Sequence, residues 1–180
     1  VNFVNADGVI DDLDLTDIES VMFTTEAGDL DQVVIANLMG TARLTISGGG
    51  GFSSSIINDV LSILDATGMT GDLDLNLDNG TNTVGVTATL GNYATGSSIV
   101  LNNAATLSDT IVLTDVFTGD ATLILTQFTA GSGAGRDSLN LSAFVLALSN
   151  LTFVDDLTDT QVPFYDESGV TVNVVLAGVT

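Results

Sequence analysis

The stretch Leu73-Asp74-Leu75-Asn76-Leu77-Asp78-Asn79-Gly80-Thr81-Asn82-Thr83-Val84-Gly85-Val86-Thr87-Ala88-Thr89-Leu90 decides the fold. Apolar and polar residues alternate over 73–77 and again over 83–90, with Asp, Asn, Gly and Thr between. Successive side chains of a strand point to opposite faces, so each burst has one apolar face and one polar face. The residues between the bursts are turn formers, so the stretch reads as strand, turn, strand.

The same unit recurs along the chain. Apolar, Thr-rich bursts centre near Met22, Val34, Thr45, Ile63, Leu75, Thr87, Val100, Val112 and Ile124, at intervals of 11 to 13 residues with one of 18. The long interval holds Gly48-Gly49-Gly50-Gly51, read as an inserted Gly-rich loop over 48–55. Glu26-Ala27-Gly28-Asp29, Gly91-Asn92, Asn102-Asn103 and Thr118-Gly119-Asp120 separate other bursts. This spacing predicts an all-β chain, either an irregular parallel β-solenoid with two strands per coil or an antiparallel β-sandwich. Short strands, Gly/Asn/Asp turns and the absence of proline before Pro163 favour the solenoid. Nine or ten strands would make about five coils of roughly 24 residues, stacked ~4.8 Å apart.

Residues 1–137 are read as the solenoid and 138–180 as a C-terminal cap. Val170–Leu176 alternates strongly and faces Val162-Pro163-Phe164-Tyr165 across Asp166-Glu167-Ser168-Gly169, a hairpin. An open solenoid end exposes unpaired backbone, so a capping hairpin is expected there. Leu139–Leu148 has the Ala/Leu content of a helical turn. Ser53–Ala66 fits either a helix, through Ile56, Ile57, Val60, Leu61 and Leu64, or a loop followed by a strand.

Composition narrows the chemistry. The chain has 180 residues and a formal net charge of −21, with 23 acids against Arg43 and Arg136, and no Lys, His, Cys or Trp. Disulfides, thiolate zinc sites, Ser-His couples and Schiff bases are all removed. Two cations cannot track a phosphate backbone, so nucleic acid is excluded as a partner. No apolar run reaches ~18 residues, so no membrane-inserted helix is expected. Twenty of the acids are Asp and three are Glu. Asp suits turns and is a hard-oxygen ligand, which points to calcium.

Three groups are candidate ligands. Gly133, Gly135 and Asp137 lie in a tight Gly-rich turn. Asp7, Asp11, Asp12 and Asp14 lie in an N-terminal acidic stretch. Asp72, Asp74, Asp78 and Asn82 form the third. The competing reading is a tight turn with Asp137 capping nearby amides for the first group, and a solvated acidic turn for the N-terminal stretch. Asp29 with Asp31, and Asp109 with Asp120, are weaker candidates. Adjacent carboxylates such as Asp11/Asp12 or Asp155/Asp156 point to opposite faces of a strand, so no catalytic pair is expected.

Ser132-Gly133-Ala134-Gly135-Arg136-Asp137-Ser138-Leu139-Asn140 resembles the G-G-x-G-x-D-x-U-x nonapeptide of repeats-in-toxin (RTX) proteins, with Ser132 at the first Gly. The resemblance implies a calcium ion held by Asp137 and the carbonyls of Gly133 and Gly135. Only one such nonapeptide is present. Asp78–Val84 has its outline with Asn82 at the Asp position. Leu15–Phe23 and Leu64–Leu73 are similar to rungs of type I-exported S-layer proteins. That likeness implies an extracellular location and an uncleaved C-terminal export signal within 138–180, in keeping with the lack of a basic-then-apolar leader at Val1. Asn5–Asp14 resembles a dockerin or EF-hand loop, with Phe3 at its first position and Asp14 in place of the bidentate Glu.

The expected function is therefore a calcium-stabilised, self-assembling surface protein (an S-layer, sheath or filament subunit) without catalysis. Its partners would be other copies of itself, in a homopolymer or lattice, and cell-surface polysaccharide. The alternatives are the C-terminal capping or binding module of a larger type I-secreted adhesin and, further off, a polysaccharide-active enzyme.

Overall fold

The computed structural model describes residues 1–4, 9–15, 17–27, 32–37, 40–57, 59–78, 80–94, 96–104, 106–114, 117–131, 133–144, 154–155, 158–165 and 169–179. Among these residues there is no helix. Strands β1 (Asn2–Val4), β3 (Ser20–Thr25), β5 (Arg43–Gly48), β7 (Ile63–Met69), β9 (Thr87–Leu90), β11 (Thr110–Leu113) and β13 (Ser138–Asn140) form a seven-stranded sheet in that order. Strands β2 (Val9–Asp14), β4 (Gln32–Asn37), β6 (Phe52–Ile57), β8 (Leu73–Asn76), β10 (Ser97–Val100) and β12 (Ala121–Thr126) stack in the second sheet. Odd strands thus alternate with even ones along the chain, and all these neighbours pair in parallel. This is the parallel β-solenoid; the sandwich alternative is excluded because its strands would pair antiparallel.

The alternating pattern explains the core. Val21, Leu44, Leu64, Ala88 and Ile111 occupy one register row of the seven-stranded sheet, and all are fully buried. Across the core, Phe52, Leu73, Ser97, Leu123 and Val174 make the facing row. Each inward side chain rests on its equivalent from the next coil, so burial is continuous along the axis. Outward rows carry hydroxyls instead: Thr24 Oγ1 lies 3.2 Å from Ser47 Oγ, and Ser138 Oγ donates to Thr110 Oγ1 at 3.0 Å.

The two corners differ. Where the seven-stranded sheet hands over to the second sheet, backbone packs on backbone. A Cβ on Gly71 would overlap the carbonyl of Gly50, so only glycine fits there. Further along, the same corner is filled by rings. Tyr93 meets Phe117 edge-on at 5.2 Å, Phe117 stacks on Phe144 at 6.1 Å, and Phe144 meets Phe164 at 4.9 Å. The opposite corner carries longer loops, over 77–86, 101–109 and 127–137.

The C-terminal hairpin is present. β15 (Asp159–Tyr165) and β16 (Thr171–Ala177) pair antiparallel, with Val162 opposite Val174 and Phe164 opposite Val172. β16 also adds in parallel to β12, and the two-residue β14 (Val154–Asp155) lies outside β15. The hairpin therefore closes the second sheet only. The seven-stranded sheet ends at β13.

Four sequence expectations change. Ser53–Ala66 is not a helix: it splits into β6 and β7, with Ser53, Ser54 and Ser55 in register between β4 and β8. Gly48–Gly51 is not an inserted loop but the tight corner between β5 and β6, and residues 52–55 belong to β6. The 18-residue interval arose because this serine-rich strand lacks an apolar burst at its centre. With β1, β2, β6 and β13 added, the stack is longer than about five coils, since one sheet alone has seven strands. Leu139–Leu148 forms β13 and a turn through Phe144, and 145–148 lie outside the described residues.

The register makes a direct prediction. Ile99→Ala, inside the stack, should lower stability by about 2–5 kcal/mol, whereas Val100→Thr on the outer face should change it by less than about 0.5 kcal/mol. Urea midpoints of the two variants against the parent check this.

Candidate functional site

Polar chemistry gathers at the corner of the long loops. Asp109 is the last residue before β11, and Asp137 is the last before β13, so they occupy equivalent places on successive coils. Both are buried, at 1% and 8% exposure. A buried carboxylate is costly unless its oxygens accept hydrogen bonds. Here they do. Asp109 Oδ1 accepts from the Val86 amide at 2.7 Å and from Asn102 Nδ2 at 2.9 Å, and its Oδ2 accepts from the Asn102 amide at 2.8 Å. Asp137 Oδ1 accepts from the Asp109 amide and Oδ2 from the Thr129 amide, both at 2.8 Å.

Each carboxylate thus does two jobs. One oxygen reaches the coil before it and holds the backbone of the equivalent residue. The other oxygen closes the loop of its own coil. Charged acceptors on amide donors make strong bonds of this kind. Together they form a ladder from Val86 through Asp109 to Asp137.

Burial pushes the Asp137 carboxyl above the ordinary carboxylate range, against the pull of the Thr129 and Asp109 amides, and the nearby Asp109 charge adds to the rise. Tyr93 is also shifted upward by burial in the aromatic corner.

Beside this ladder, Asp78 and Asn82 lie in the preceding loop of the same corner. Asp78 Oδ1 accepts from the Gly80 amide at 3.2 Å, and Asn82 Nδ2 donates to the Leu77 carbonyl at 2.9 Å. Gln127, at φ 62°, takes a left-handed backbone that costs a non-glycine residue roughly 1 kcal/mol or more. Its amide, oriented as its surroundings require, donates to Asp78 Oδ2 at 3.0 Å and to the Leu101 carbonyl at 2.8 Å.

The sequence candidates are therefore divided by the fold. Gly133 and Gly135 share the 127–137 loop with Asp137, and both have positive φ, 112° and 70°. Asp137 itself turns into the corner, where its carboxylate accepts from the Asp109 and Thr129 amides. Asp72 and Asp74 do not join Asp78 and Asn82. Both are exposed, and Asp74 accepts from Ser98 Oγ on the outer face of the next strand. Asp78 lies beyond the end of β8 at Asn76, where the chain has left the strand's outer face and turned into the corner.

In the N-terminal group, Asp14 is exposed at the end of β2. Asp7 lies outside the described residues, as do the side chains of Asp11 and Asp12. Val9–Asp14 is a strand paired with β4, a different backbone from an EF-hand loop. Asp29 and Asp31 also lie outside the described residues. Asp109 and Asp120 part company: Asp120 is exposed and accepts from the Thr171 amide, pinning β16 to the start of β12. Among the described residues no three acidic side chains converge on a metal position. Asn102 and Gln127 were not candidates in the sequence, where Asn102 read only as a turn residue.

The ladder sets a pH dependence. A raised native pKa means the folded chain keeps a proton that the unfolded chain releases. The Asp137 contribution is then full below the ordinary carboxylate value and is lost as pH rises through the native value. Asp137→Asn should remove this part of the pH slope. It should also lower stability by about 1–3 kcal/mol at neutral pH, because its NH2 group faces a backbone N–H. Urea denaturation of both proteins from acidic to neutral pH measures the two effects.

Comparison with known proteins finds no matching protein family, curated protein or solved structure, so the reading of this corner rests on its own residues.

Proposed function

We propose that this chain is a structural, self-assembling building block of an extracellular surface layer or filament, non-catalytic and stabilised by calcium. One observation carries the reading. Among the described residues, β1 and β13 end the seven-stranded sheet at its two ends, each with one edge unpaired, and both are parallel strands of the same stack. A second copy placed end to end extends the stack with the same parallel pairing that builds it internally. Such a head-to-tail contact is heterologous and produces filaments.

The end at β1 is suited to this contact. Val1 and Val4 are exposed, at 54% and 62%, and Phe3 is only partly covered by its stack on Phe23. An exposed apolar edge strand is a template for another strand. The −21 charge opposes close packing of copies, and divalent cations between acidic loops would relieve it. The two buried carboxylates at the corner are engaged by backbone amides, which favours structure over catalysis. Cell-surface polysaccharide remains a partner class for the hydroxyl-rich outer rows.

A second reading has its own observation. The hairpin closes one sheet at the C-terminal end while β1 and β2 end their sheets at the other. That asymmetry suits the C-terminal capping module of a longer solenoid, such as a secreted adhesin.

Light scattering and analytical ultracentrifugation separate the two. The assembly reading expects mass to grow with protein and calcium concentration, and Val4→Lys to abolish the growth. A parent chain that stays monomeric throughout rejects assembly and leaves the capping reading.

A further inference from the structure

Between the 77–86 and 101–109 loops lies a pocket of about 310 Å3, lined by Asp78, Gly80, Asn82, Asn102, Asn103 and Ala104. Two of its lining residues carry a side-chain oxygen, Asn82 Oδ1 and Asn102 Oδ1, that is buried and has no hydrogen-bond partner. Asn102 is only 3% exposed. Neither amide can simply turn over. Asn102 Nδ2 is held by Asp109 Oδ1 and Asn82 Nδ2 by the Leu77 carbonyl, so the nitrogen of each is fixed and the oxygen is left over.

A buried carbonyl without a donor demands one or a cation in its place. The chain offers little from within. Arg43 is paired with Asp65 on the outer face, and Arg136 is exposed in the 127–137 loop, its side chain near Gly131. The third oxygen group is the Asp78 carboxylate. Among the described residues, its two oxygens take single bonds from the Gly80 amide and from Gln127, which leaves lone pairs on both.

The donor set is all oxygen: one carboxylate and two amide carbonyls. Zinc prefers nitrogen and sulfur, and magnesium keeps most of its water in a near-ideal octahedron. Calcium accepts carboxylate, Asn carbonyl and water oxygens in irregular geometry. We infer that this pocket binds a divalent cation of the calcium class, with Asp78, Asn82 and Asn102 as ligands and water completing the shell. The loops of two successive coils would share the ion, so it would fasten one coil to the next beside the Asp109–Asp137 ladder. The site differs from the Gly133–Asp137 position that the sequence favoured. It rests on the calcium-stabilised reading above but not on assembly. A single carboxylate places it among weak extracellular sites, with Kd on the order of 10⁻⁴–10⁻³ M.

Calcium chloride titration by calorimetry, at concentrations where scattering shows one size, tests the inference on the parent, Asp78→Asn and Asp72→Asn. Asp72→Asn removes the same charge from the exposed surface. The parent and Asp72→Asn should show the site, and Asp78→Asn should weaken it at least tenfold. A second readout needs no substitution: the side-chain 13Cγ resonances of Asn82 and Asn102 should move with calcium chloride and stay still in sodium chloride of equal ionic strength. Equal binding by the two variants, or unmoved resonances, would show a pocket holding water only and would overturn the site. Binding without any assembly leaves the site standing and rejects the polymer; assembly with no binding here does the reverse.

Discussion

Everything in this molecule depends on keeping successive coils in register. Parallel pairing places each residue on its equivalent one coil away, so a slip of one residue would turn every apolar side chain outward. The strands are short, several of only three or four residues, and cannot hold that register alone. The corners hold it. Asp109 and Asp137 each bond the backbone amide of the equivalent position in the coil before. Asn92 and Thr118 do the same at the opposite corner: Asn92 Nδ2 donates to Thr118 Oγ1, and the Thr118 amide donates to Asn92 Oδ1, both at 2.9 Å.

Corner chemistry changes along the axis for a physical reason. Near β5 to β8 the chain turns tightly on glycine, and coils touch backbone to backbone. From Tyr93 onward the turns widen, and space that backbone no longer fills is taken by rings up to Phe164. Phe164 belongs to the hairpin, so the aromatic column also glues the end of the second sheet to the coils before it. Widening on the other corner opens the pocket between Asp78 and Asn102. Acidic residues accordingly serve in distinct ways. Asp72 and Asp74 face solvent, Asp120 pins a strand, and Asp109 and Asp137 are internal staples.

Much of the fold was legible. Alternation over 73–77 marked β8, and the segment 83–90 marked β9, though the strand itself is only Thr87–Leu90, and Gly85 before it packs against the backbone of Ser108. The hairpin was legible because Val170–Leu176 alternates and the turn formers Asp166-Glu167-Ser168-Gly169 precede it. β6 was not, because Ser53–Ser55 lacks an apolar signature and gains its strand only from neighbours on both sides. The site was less legible. Asp137 was singled out by its Gly-rich turn, but a turn that presents carbonyls to an ion and a turn that aims a carboxylate at amides have the same sequence.

The sequence by itself determined the alternation, the turn chemistry, the missing nucleophiles and bases, and the burden of negative charge. Those follow from local side-chain direction and residue type. Tertiary structure alone decided which acids are buried, which amides they cap, that Asn102 joins Asp78 at one pocket, and that Gln127 hydrogen-bonds Asp78. These residues are a coil apart in the chain. Only stacking, which brings equivalent corners together, puts them in reach of one another.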